Sequence, residues 1–126
     1  MIYELFVPLG SKKWISANEH TTSIGARRAI SQRTKAWREE TCRLAIKSGS
    51  PALMEHAWID IYVHMATNRR YDPGNRYPTA KACVDGLVDA GLVEDDDYKH
   101  VSGPFLHHGG KDKDNPGLRI VVRSIE

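Results

Sequence analysis

Ala57-Trp58-Ile59-Asp60-Ile61-Tyr62-Val63-His64-Met65-Ala66 is the stretch on which the fold turns. Trp58, Asp60, Tyr62 and His64 alternate strictly with Ile59, Ile61, Val63 and Met65, and β-branched side chains crowd the second set. Such a pattern predicts a half-buried strand. Upstream, Ile2 to Val7 also alternates and stops at Pro8-Leu9-Gly10, a second strand closed by a turn. Downstream, Asp114-Asn115-Pro116-Gly117 is a strong turn signal before a closing strand from Leu118 to Ile125, while Val101 and Phe105 to His107 form a weaker strand. Two helices fit between these strands. Ile30, Trp37, Cys42, Leu44 and Ala45 approximate a helical stripe within Ser23 to Lys47, with Gly49 as its stop and either Ser23 or Ser31 as N-cap. Ala80, Val84, Leu87 and Val88 mark a shorter helix from Thr79 to Ala90, ended by Gly91. Ser11 to Thr22 has no sustained period and reads as a long loop. The order β, α, β, α, β, β implies an α+β fold, a small mixed sheet packed with one long and one short helix.

With 126 residues, 40% hydrophobic and 27% charged, the chain has room for one core, so residues 1–126 are expected to form a single domain. Cys42 and Cys83 make neither a disulfide framework nor a zinc signature, which excludes a disulfide-stapled secreted mini-protein. Apolar runs fall well short of the roughly 20 residues of a membrane span, and no basic-then-apolar leader precedes Pro8. A soluble, cytoplasmic protein without a membrane partner is expected.

The net charge of +2 conceals a separation of signs. Ser23 to Lys47 holds seven basic residues (Arg27, Arg28, Arg33, Lys35, Arg38, Arg43, Lys47) against Glu39 and Glu40. Asp72 to Asp97 reverses the balance, with seven acids against Arg76 and Lys81. A cationic surface beside concentrated carboxylates suits an enzyme acting on a polyanion, because cations hold phosphates while carboxylates hold a metal. The informative segment runs Arg69-Arg70-Tyr71-Asp72-Pro73-Gly74-Asn75-Arg76-Tyr77-Pro78-Thr79-Ala80-Lys81, then Asp85-Gly86-Leu87 and Gly91-Leu92-Val93-Glu94-Asp95-Asp96-Asp97. Asp72 and Asn75 lie on a Pro-Gly turn before the short helix and Asp95 to Asp97 lie beyond it, so the helix can bring its two flanking loops together. Mg²⁺ typically takes one or two carboxylates plus substrate phosphate and water, which Asp72 with Asp95 or Asp96 would supply. Lys81, four residues before Asp85 on the same helix face, is placed to meet a scissile phosphate.

This ordered set resembles the RusA family of Holliday-junction resolvases, including the RusA-like endonucleases common in bacteriophages. The resemblance spans about Trp14 to Gly103. It is densest at the arginine pair, Asp72-x-x-Asn75, Lys81, Asp85-Gly-Leu, Ala90-Gly91 and Asp95-Asp96, with a weaker match at Ser16-Ala17-Asn18, His20 and Lys35-Ala36-Trp37-Arg38. The resemblance implies a small α+β homodimer that binds four-way DNA junctions and uses Mg²⁺, with Mn²⁺ as a substitute, to make paired nicks. By motif, Asp72 looks like the first metal-binding aspartate, Asp96 the later one with Asp95 beside it, Lys81 the essential lysine and Asn75 the residue closing the first motif. The family usually has a second aspartate two residues after the first, where this chain has Gly74, and the Asn75 to Lys81 spacing is about three residues longer. Asp85 as a replacement carboxylate, a single metal and weak catalysis are the alternatives that this departure leaves.

Arg69, Arg70, Arg76, Arg27, Arg28, Arg33, Asn18 and His20 are the expected DNA contacts, mostly to phosphate. Trp14 suits packing beneath the loop better than base stacking, and Trp37 and Trp58 are expected in the core. His107 and His108, adjacent on a strand, point to opposite sides and make a poor metal pair. A junction binder that has lost catalysis is the main alternative function, and an acid-rich regulatory protein a more remote one.

Overall fold

The computed structural model describes residues 1–19, 22–49 and 52–125. Its elements follow the expected order: β1 (Ile2–Pro8), α1 (Ile24–Lys47), β2 (Ala57–His64), a 3-10 turn (Pro73–Arg76), α2 (Tyr77–Asp89), β3 (Val101–His108) and β4 (Gly117–Ser124). The architecture is α+β. Four strands form one mixed sheet in the order β1-β4-β2-β3, where β4 runs antiparallel to both β1 and β2 while β3 runs parallel to β2. A parallel neighbour demands a crossover, and the segment carrying α2 provides it.

The period-two reading of β2 decides which side faces the core. Ala57, Ile59, Ile61 and Val63 are fully buried, as are Leu118, Ile120 and Val122 of β4, and Leu5 and Val7 of β1 join them through the pairs Leu5↔Ile120 and Val7↔Leu118. Trp37 and Ala45 of α1 and Ala80, Cys83, Val84 and Leu87 of α2 complete one cluster on this face. Ser23 is the N-cap of α1, its hydroxyl accepting from the Ala26 amide at 3.0 Å, which leaves Ser31 inside the helix. α2 begins two residues earlier than expected because Pro78, with no N–H to lose, fits a first helical turn. β3 is continuous rather than broken, and Pro104 lies within it on the sheet edge, where a missing donor is tolerated.

The expectation that Trp58 is core is corrected. Alternation puts it on the opposite face with Asp60, Tyr62 and His64, half-buried against Phe105 (ring centroids 4.8 Å apart) and beneath Arg123 (5.4 Å). Four residues along the strand the arrangement repeats in kind: Tyr62 stacks on His107 at 4.8 Å and carries Arg119 at 4.2 Å. No helix among the described residues is long and apolar enough to cross a membrane.

Candidate active site

Gly86 sets the position of the site. A Cβ there would lie 2.4 Å from the Arg38 carbonyl and 2.8 Å from the Thr41 side chain, so only glycine lets α2 approach α1 this closely. Arg38 then reaches across the crossing to clamp Asp89 with two bonds of 2.6 and 2.9 Å. After α2, Gly91 turns the chain at φ +87°, and Leu92 and Val93 sink into the core. The Met54 amide donates to the Leu92 carbonyl at 2.7 Å, and Met54 bridges Val93. These anchors fold the acidic loop back along α2.

As a result Asp96, fifteen residues beyond Lys81, meets it. The Lys81 ammonium donates to Asp85 Oδ1 at 2.6 Å and also to Asp96 Oδ2 in a very short contact. Burial alone pulls the Lys81 pKa down, but its hydrogen bonds to both carboxylates and their charges reverse this and hold it above its ordinary value. The hydrogen bond from Lys81 in turn holds Asp96 below the ordinary carboxylate range. Asp95 accepts from the Asp96 amide at 2.8 Å, so its carboxylate steadies the loop. Arg38 adds a second positive charge within electrostatic reach of Asp85 and Asp96.

Asp72 has a different role in this geometry. It is the N-cap of the 3-10 turn, Oδ1 accepting from the Gly74 amide at 2.9 Å, and it is exposed. Asn75 is held through its backbone, its amide donating to the Asp72 carbonyl and its carbonyl accepting from Ala17. Among the described residues no three His, Cys, Asp or Glu side chains are gathered as a metal cluster. Asp72 is thus engaged by the turn, whereas Asp85 and Asp96 share the Lys81 ammonium. That pair nonetheless fits Mg²⁺ in chemistry and number: two hard oxygen donors converge on one cationic centre, the Lys81 ammonium.

The expected DNA contacts divide into two groups. Arg69 and Arg70 are exposed on the loop before Asp72, and Arg27 and Arg28 are exposed on the first turns of α1. Asn18 is exposed with its amide on Ser16 Oγ. Arg33, in contrast, is committed to Glu19 through bonds of 2.6 and 2.8 Å and to the Trp14 carbonyl, which ties the loop to α1. Arg76 lies partly buried over the Trp14 ring at 5.5 Å, its pKa lowered by burial and its Nε without a hydrogen-bond partner among the described residues. Both act on structure in this arrangement. Trp14 stacks on the fully buried Trp37, as packing beneath the loop requires. His20 lies outside the described residues. His107 and His108 part as expected, His107 to Asp60 and His108 to Tyr71.

The pairing of Arg38 with Asp89 escaped the motif reading because the two lie 51 residues apart and only the helix crossing joins them. Compared with known families and curated proteins, the chain matches no family model and no curated protein.

Proposed function

We propose that this chain is a RusA-like, Mg²⁺-dependent structure-selective endodeoxyribonuclease that resolves four-way DNA junctions by paired nicks. The observation that carries the reading is the convergence of Asp85 and Asp96 on Lys81, beside a long helix whose outer surface is basic. Asp85 and Asp96 would hold the metal, with Asp95 ordering their loop. Bound there, Mg²⁺ or Mn²⁺ supplies Lewis-acid polarisation of the phosphate and a water activated at neutral pH. Lys81 is a stored counter-charge: it keeps two carboxylates together in the free protein and has an ammonium ready for the phosphate oxygens. Arg27 and Arg28 contact backbone phosphates, which fixes orientation without reading sequence, and Arg69 and Arg70 add to the same electrostatic attraction.

A second copy completes the reading, since two equivalent strands call for two sites related by a two-fold axis. The outer face of the sheet supports it: Arg119 and Arg123 on β4 are balanced by Glu4 on β1 and Asp60 on β2. Trp58, Tyr62 and Phe105 supply the aromatic content typical of interface centres. We place the protein in the cytoplasm, on DNA.

The engagement of Asp72 as a turn cap favours one competing reading, a branched-DNA-binding protein impaired in catalysis. Asp85→Asn and Asp96→Asn, compared with the wild type, separate the two. The nuclease reading expects loss of Mg²⁺-dependent cleavage with junction binding retained, whereas the binder reading expects wild-type protein to hold junctions equally in chelator and never to cut.

A further inference from the structure

The loop between β2 and the 3-10 turn borders an open cleft of about 220 Å³ whose lining includes Asn68, Arg69, Arg70, Tyr71 and His108. Its cations are uncommitted. Nearly every other arginine is engaged, Arg33 with Glu19, Arg38 with Asp89 and Arg43 with Glu40, but neither Arg69 nor Arg70 has an ion-pair partner among the described residues. The Arg69 amide is instead fixed by Thr67 Oγ1 at 3.3 Å. Tyr71 is half-buried, its hydroxyl 3.4 Å from the Val63 carbonyl and 2.5 Å from His108 Nδ1. The phenol has one proton, accepted by either the Val63 carbonyl or His108 Nδ1; where Nδ1 accepts it, the imidazole proton sits on Nε2 as a further donor.

We propose that this cleft receives the terminal phosphate monoester of a nucleic-acid strand. Two permanent guanidinium charges match a monoester, which carries about −1.5 to −2 and three acceptor oxygens, while a backbone diester carries one charge and would leave a guanidinium unmatched. The inference rests on the nuclease reading for the strand that bears the phosphate, since phosphodiester hydrolysis creates such an end.

The test uses a short thymidylate oligomer in three forms, 5′-phosphorylated, 3′-phosphorylated and unphosphorylated, titrated into wild-type protein by fluorescence anisotropy in chelator, where no cleavage occurs. One phosphorylated form is expected to bind about tenfold more tightly than the unphosphorylated form, as charge-assisted hydrogen bonds imply. The Arg69→Gln/Arg70→Gln double variant removes that preference, and His108→Ala reduces it, with thermal unfolding confirming that both fold. Equal affinity for the three forms, or a preference that survives in the double arginine variant, overturns the proposal. Because no metal is present, failure here leaves the cleavage reading standing, and failure of cleavage leaves this result standing.

Discussion

Lys81 is the residue through which charge, loop conformation and proposed chemistry are coupled. With both neighbours drawn to one ammonium, Asp96→Asn removes a proposed metal ligand and half of the clamp at once. We expect it to lower Mg²⁺-dependent junction cleavage about 100-fold or more, measured as the single-turnover rate, with binding preserved. Asp72→Asn is the cleaner probe of Asp72, because asparagine caps as well as aspartate and leaves the 3-10 turn intact. A fall in cleavage from that variant reports chemistry, not folding. The clamp also fixes a pH dependence. The Asp96 pKa is depressed by Lys81, so its contribution to stability is full above the ordinary carboxylate value of about 3.9 and is lost as pH falls through the folded value. The Lys81 pKa is raised, so its contribution is full below about 10.4 and disappears as pH rises through its folded value. Unfolding midpoints measured across pH are expected to show a shallower acid limb for Asp96→Asn than for wild type below about pH 4. Identical acid limbs would remove the clamp from the account.

At the level of elements, the α1–α2 crossing is the joint that places Lys81. Gly86→Ala forces a methyl group toward the Arg38 carbonyl and is expected to destabilise by about 1–3 kcal/mol in chemical denaturation, together with a loss of the Arg38–Asp89 clamp. Trp37→Ala, at a fully buried position stacked on Trp14, is expected to cost about 3–5 kcal/mol. The strands and helices were legible because their signals are local: alternation from Trp58 to Met65, serine at the start of α1, Gly91 after α2. The face on which Trp58 lies was not, since alternation separates two sides but cannot say which one the helices cover. The fifteen-residue Lys81–Asp96 contact was legible only in part, as a loop near a helix, because its closure depends on Leu92 and Val93 finding the core. Arg33 and Arg76 read as free cations in sequence, and it is the fold of the 11–19 loop that turns one toward Glu19 and the other over Trp14.

For the whole molecule, all helical packing lies on one face of the sheet, and the other presents a charge-balanced aromatic surface. Sedimentation velocity at micromolar concentration is expected to give a dimer, reduced to monomer by the Arg119→Glu/Arg123→Glu double variant. A wild-type monomer at every concentration would reject the outer face as the self-interface. Basic α1 and the Arg69–Arg70 loop together predict strong salt dependence, with log affinity for junction DNA falling linearly against log salt by about 0.9 per phosphate contact. The measurement that bears most directly on the central claim is incubation of the protein with a labelled synthetic four-way junction and a matched linear duplex, in Mg²⁺ and in chelator. The account predicts paired nicks confined to the junction and dependent on Mg²⁺. Intact junctions under both conditions, despite tight binding, would contradict it.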